Sequence, residues 1–199
     1  MHEAIILAGG LGTRLKEVVQ DLPKPMAPVN GRPFLEIILA NLHSKGFERV
    51  ILSVGYMADI IISHFGNNYL GMELLYSIEA KPLGTGGALR LALEKANENY
   101  VLVPNGDTFL DFDIDSVKDY CLRSQCPIII GKEVNDTNRY GSLIFEDKKV
   151  IGFLEKGLSG AGVINAGCYV FKANQLDSFE IGEAFPLEEN YLVDSVKSQ

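Results

Sequence analysis

The chain has 199 residues, 47% hydrophobic and 22% charged, with a net charge of −8. That length supports one domain with a substantial core, the composition is that of an ordinary globular protein, and the acidic balance argues against a nucleic-acid partner, which wants a basic face. No apolar run approaches the ~20 residues that span a bilayer, no secretory leader is legible at the N-terminus, and Cys121, Cys126 and Cys168 lack metal-ligand spacing, so the expectation is a cytoplasmic protein with reduced thiols and no membrane partner.

In chain order, residues 3–8 read as a buried strand, followed by a glycine-rich loop that runs to residue 29. Three prolines there forbid regular helix. Gly31-Arg32-Pro33 then predicts a helix start with proline near the first position. Phe34, Leu35, Ile38, Leu39 and Leu42 give that helix its apolar face and Gly46 ends it. Strands are expected at 49–54, 73–78 and 100–104, with helices at 58–65 and 85–97 between them. This alternation implies a mostly parallel sheet with helices on both faces. Beyond Cys126 the pattern changes: 127–133, 142–145, 150–155 and 164–171 read as mixed or antiparallel additions to the same sheet. The whole chain, 1–199, reads as one domain with two halves, 1–110 and 111–199.

The first strand feeds Leu7-Ala8-Gly9-Gly10-Leu11-Gly12-Thr13-Arg14-Leu15, and Pro23-Lys24-Pro25 follows. Glycines let a bulky anion approach backbone N–H groups. Arg14 adds a planar fork and Lys24 a point charge, which together suit a nucleoside triphosphate. The loop is not a dinucleotide fingerprint, because Leu15 stands where its third glycine belongs, and no Walker loop occurs. Ligands of parallel α/β sheets bind beyond the carboxyl ends of the strands. Three clusters fall there: residues 9–14, Glu79 to Gly87 and Asn105-Gly106-Asp107. Taken alone, the second is a strand-to-helix connection with glycines for close packing, and the third is a turn.

The signature in residues 7–15 and 23–29 resembles that of the sugar-1-phosphate nucleotidylyltransferases, and the resemblance runs over essentially the whole chain. More narrowly the chain is similar to the D-glycero-α-D-manno-heptose 1-phosphate guanylyltransferases and their mannose-1-phosphate guanylyltransferase relatives. The resemblance implies a Rossmann-like three-layer sandwich, with 1–110 as its nucleotide-binding half and 111–199 as its sugar-phosphate-binding half. It implies the reaction of an NTP with a sugar 1-phosphate to give an NDP-sugar and pyrophosphate, here a GDP-heptose for surface polysaccharide. It leaves room for a homo-oligomer.

By the same resemblance Leu7, Ala8, Gly9, Gly10, Gly12 and Thr13 would hold the nucleotide, and Glu79, Pro82 and Gly84 would line the base. Arg14 and Lys24 would neutralise the phosphates, and Asp107 would bind Mg²⁺. Asn105, Gly141, Glu155, Lys156 and Asn165 would contact the sugar phosphate. Glu79 favours guanine on chemical grounds, since its two oxygens accept from adjacent N1–H and N2–H donors, whereas uracil offers one donor between two carbonyls. The family also supplies a late Asp-Ile-Gly carboxylate. The late aspartates here, Asp177 and Asp194, are not followed by Ile-Gly, so the expectation is either a chain lacking the family's C-terminal end or a metal held differently. Competing readings are a uridylyltransferase or mannose-1-phosphate guanylyltransferase of the same fold, and a non-catalytic sugar-nucleotide-binding regulatory subunit.

Overall fold

A computed structural model describes residues 1–10, 22–124, 126–154, 157 and 159–197. Its centre is a parallel array: β1 (Glu3–Leu7) lies between β4 (Arg49–Val54) and β7 (Tyr100–Pro104), and β6 (Met72–Ile78) extends it beyond β4. Consecutive residues point to opposite faces. Ile6 and Leu52 therefore enter one core with Leu35, Leu39 and Leu42 of α1 (Phe34–Ser44) and Ile61 and Phe65 of α2 (Ala58–Phe65). Ile5 and Ile51 enter the other core, with Leu89, Ala92 and Leu93 of α3 (Gly84–Leu93). The three-layer arrangement read from the sequence is thus present.

The second half adds antiparallel strands. The long β11 (Gly162–Lys172) pairs with β7 through residues 168–172 and with β8 (Ile128–Val134). It also meets β9 (Ser142–Glu146), whose partner β10 (Lys149–Leu154) forms the edge. The hairpin between β9 and β10 turns on Asp147 and Lys148, both at positive φ, as a two-residue turn matched to strand twist requires.

Several elements differ from the sequence reading. Pro33 is extended and precedes α1 rather than opening it. Asn30 and Gly31, at φ 50° and 78°, instead turn a small hairpin between β2 (Pro28–Val29) and β3 (Arg32–Pro33). A further short strand, β5 (Asn68–Tyr69), pairs with β6 at the far sheet edge. Helix α3 stops at Leu93, well before the expected residue 97. There the buried carboxylate of Glu3 accepts the N–H groups of Asn97 and Glu98 at 2.8 and 2.9 Å and pairs with Arg49, which pulls the chain out of the helix.

The sequence reading also omitted α4 (Ile114–Arg123). Asp113 caps it by accepting Asp115 N–H, and Ile114, Val117 and Cys121 face the first core. It omitted as well the C-terminal run through a π-helical turn at Glu188–Leu192 and α5 (Val193–Lys197).

Candidate active site

The carboxyl ends of β1, β4, β6 and β7 open on one cleft of about 440 Å³. Leu7, Ala8, Gly9, Gly10, Lys24, Glu79, Pro82, Gly84, Asn105 and Asp107 all line it. Residues from five separate stretches of sequence therefore meet where strand-end chemistry was expected.

The floor is built by close backbone contact. Gly106 donates to Leu7 O at 2.8 Å, and Asn105 forms a parallel bridge with Leu7. A Cβ on Gly106 would stand 2.9 Å from Leu7 O and 3.1 Å from Ala8 Cα, so only glycine permits this approach. The Asn-Gly pair thus presses the end of β7 against the end of β1 and delivers Asp107 to the cleft.

Lys24 arrives from the other side on a rigid support. The 3-10 turn Lys24–Met26 buries Pro25 and Met26, and Met26 N–H bonds Pro23 O at 2.8 Å. Lys24 Nζ pairs with Asp107 Oδ2, while Asp107 Oδ1 accepts the Thr108 hydroxyl at 3.2 Å. Both charged groups are about a third exposed, so a ligand reaches them without unfolding anything.

Glu79 lines the cleft just beyond the end of β6. Its N–H bonds Val54 O at 2.8 Å and its Oε2 accepts Leu83 N–H at 3.0 Å. Burial pushes its ionisation above the usual carboxylate range, against the Leu83 hydrogen bond, which acts the other way. Its Oε1 occupies the space beside Gly9 that a side chain there would need. Gly9 therefore makes room for Glu79, whereas among the described residues nothing lies within 4 Å of a Cβ built on Gly10. The sequence reading gave both glycines to the phosphates.

The glycines of the second cluster also have a different neighbour. A C-terminal strap, residues 183–187, lies on them. Phe185 O accepts from Gly86 N–H and Gly87 N–H at 3.0 and 3.3 Å, Phe185 N–H donates to Leu83 O, and Leu187 N–H donates to Thr85 Oγ1 at 3.0 Å. Cβ atoms at Gly84, Gly86 and Gly87 would strike Phe185 or Glu183. Pro82 and Gly84 still border the cleft, but the Gly86 and Gly87 N–H groups of α3 are spent on the strap.

Asn165, expected at the sugar phosphate, does not line this cleft. It joins it through Gly167, whose O accepts Asn105 N–H at 2.8 Å. The antiparallel pairing of Ile164 with Ser142 brings Gly141 to the side of Asn165. Gly12, Thr13, Arg14, Glu155 and Lys156 lie outside the described residues. Asp177 contacts Arg90 at 3.5 Å and Asp194 contacts Lys197 at 3.4 Å, and neither lines the cleft.

A family model for the nucleotidyl transferases matches residues 3–190. The chain belongs to that family. Among its relatives, the D-glycero-α-D-manno-heptose 1-phosphate guanylyltransferase of Aneurinibacillus thermoaerophilus is 41% identical over 96% of this chain and 83% of its own. The protein of the same description in Campylobacter jejuni is 44% identical over 94% and 83%. Among solved structures, HddC of Yersinia pseudotuberculosis superposes with a TM-score of 0.87 at 39% identity. It covers 96% of this chain and 85% of that one, and it has also been solved complexed with GMP-PN.

Some residues around the cleft carried no sequence signal. Ser53 lines it. Tyr169 and Glu188 bond Asn165 from the side away from Gly167. Glu188 is unreadable in sequence because nothing in Phe185-Pro186-Leu187-Glu188 announces a partner on β11. No helix among the described residues is long and apolar enough to cross a membrane.

Proposed function

We propose that this transferase joins GTP to D-glycero-α-D-manno-heptose 1-phosphate, giving the GDP-sugar and pyrophosphate. The observation that carries the reading is the meeting of Gly10, Lys24, Asp107 and Glu79 in one cleft at the strand ends. The heptose guanylyltransferase relatives and the GMP-PN complex of the Yersinia protein support the choice of sugar and base.

In this reaction a phosphate oxygen of the sugar 1-phosphate attacks the α-phosphorus in line. The bond to the bridging oxygen breaks and pyrophosphate leaves with that electron pair. The nucleophile is already an anion, so no general base is required. Catalysis then rests on positioning and on charge neutralisation. In this reading Lys24, which lines the cleft, neutralises the α-phosphate. Gly10, with Gly12 and Arg14 of the same loop, takes the leaving pyrophosphate. Glu79 keeps lone pairs beyond the one given to Leu83 N–H, and these accept guanine N1–H and N2–H. Lys156 and Glu155 complete the sugar-phosphate side in this reading, with Asn165 and the Gly141 amide.

Asp107 suits Mg²⁺ held chiefly by substrate. Among the described residues no group of three potential ligands exists, and one carboxylate plus triphosphate oxygens and water is an ordinary set for this hard cation. When bound, the ion neutralises phosphate charge. Lys24 then passes from Asp107 to the substrate. The reading places the enzyme in the cytoplasm, where GTP is available, feeding a glycosyltransferase that builds surface polysaccharide.

The test is pyrophosphate release with Mg²⁺, crossing GTP, UTP, dTTP, CTP and ATP with heptose, mannose and glucose 1-phosphates. Turnover confined to GTP with the heptose phosphate supports the proposal. Turnover with another pair reassigns the substrate, and silence with every pair removes the catalytic reading.

A further inference from the structure

Asn165 belongs to a hydrogen-bonded triangle whose other two members, Tyr169 and Glu188, the reaction scheme leaves unused. Asn165 Nδ2 donates to Glu188 Oε1 at 2.8 Å and to Tyr169 Oη at 2.9 Å, and Tyr169 Oη donates to Glu188 Oε1 at 3.3 Å. On its other side Asn165 Oδ1 accepts Gly167 N–H at 3.0 Å. The orientation of an asparagine amide is set by such partners, and here both ends agree. A carboxylate only accepts, so it demands the amide nitrogen; a backbone N–H only donates, so it demands the oxygen.

Tyr169 is 2% exposed. Burial, with the Glu188 charge behind it, pushes its ionisation upward, so it stays a neutral hydroxyl. Both Asn165 N–H groups are consumed inside the triangle. What the amide can still present is a second lone pair on Oδ1.

The frame reaches the cleft. Residues 165–169 form an irregularity in the pairing of β11 with β8. Gly167 sits at φ 65° with Asn105 packed where its side chain would be. Glu188 comes from the far end of the chain, one residue after Leu187, which Thr85 of α3 holds. The strap that lies on the base side therefore also carries the group that fixes Asn165.

We infer that Glu188 is the positioning residue of the sugar half: it locks the Asn165 amide so that Oδ1 accepts a hydroxyl of the sugar 1-phosphate. This rests on the nucleotidylyltransferase reading above. It makes Glu188 matter for the sugar and not for the base, although the strap touches both sides.

The test is a swap of chemistry at constant shape. Asn165→Asp keeps an acceptor for the sugar and for Gly167 N–H but sets two carboxylates against each other. Glu188→Gln keeps an acceptor for Asn165 and also owns a donor. Steady-state rates with GTP and the sugar 1-phosphate are measured for wild type, both single variants and the double variant.

Asn165→Asp raises KM for the sugar 1-phosphate at least about tenfold, as a lost buried pairing does. KM for GTP stays within about twofold, and the double variant returns the sugar KM to within about threefold, the non-additivity expected of residues in contact. A double variant no better than Asn165→Asp overturns the inference, as does an equal rise in KM for GTP. A wild-type protein without turnover on any sugar 1-phosphate fails the transferase reading itself and takes this inference with it.

Discussion

The carboxylate of Glu79 occupies the space beside Gly9 into which any side chain at that position would project. The loop after β1 and the end of β6 are thereby matched to each other before a nucleotide arrives. Gly9→Ala meets the far end of a flexible side chain, so the fold can yield there by moving Glu79. The expected result is a melting temperature close to wild type. KM for GTP rises about tenfold, the scale of one charge-assisted hydrogen bond. Steady-state kinetics beside a thermal melt checks both halves of the statement.

Glu79 also gives a pH dependence with a fixed sign. Desolvation raises its folded-state pKa above the ordinary glutamate value. Only the ionised form offers both oxygens to guanine, so the preference for GTP over UTP is full at neutral pH. It falls as pH drops through that raised value, earlier than for a solvated glutamate near ~4.3. For stability the sign is opposite: the neutral acid suits the site, so the stability present below the unfolded-state pKa is lost as pH rises through the folded one. Glu79→Gln is therefore expected to lower the GTP/UTP ratio of kcat/KM without lowering the neutral-pH melting temperature. A ratio that stays unchanged in Glu79→Gln and is flat with pH removes Glu79 from base selection.

Lys24 and Asp107 are paired at the cleft. Their exposure makes the pair a minor contributor to stability, so its removal is read in rate. Lys24→Ala is expected to lower kcat by about 10²–10³, the range for deleting a donor aimed at transition-state charge. Asp107→Asn should raise the Mg²⁺ concentration that gives half-maximal rate, and chelation by EDTA should stop the wild-type reaction. Rates measured across a Mg²⁺ series separate the two variants.

Gly87 offers the opposite case from Gly9. A Cβ there meets the backbone carbonyl of Glu183, which cannot swing aside as a side chain does. Gly87→Ala should cost about 1–3 kcal/mol of stability, as overpacking does. Urea denaturation measures it. The strap should be the part that loosens, visible as faster amide exchange at Phe185 and Leu187.

The parallel half was legible in sequence because each strand is a short apolar run and each helix has an amphipathic face bounded by glycine. The cleft followed from topology, since strand ends converge whatever the side chains are. Glycines were harder to read. A glycine makes room without saying for what, and Gly84, Gly86 and Gly87 make it for a strap that joins α3 across 102 positions, from Thr85 to Leu187. The pairing of Glu188 with Asn165 is invisible for the same reason: both residues are polar and ordinary, and only the fold brings them within 2.8 Å. Helix α4 was a different omission. Its Asp113 cap and its apolar spacing at 114, 117 and 121 are present in the sequence.

The most direct test of the cleft as a guanylyl-transfer site follows the phosphorus. GTP labelled at its α-phosphate is incubated with D-glycero-α-D-manno-heptose 1-phosphate, Mg²⁺ and either the wild-type protein or Lys24→Ala. The account predicts that the label appears in the GDP-sugar, that the pyrophosphate is unlabelled, and that Lys24→Ala slows the transfer. Label that remains in GTP, or a Lys24→Ala rate equal to wild type, would contradict it.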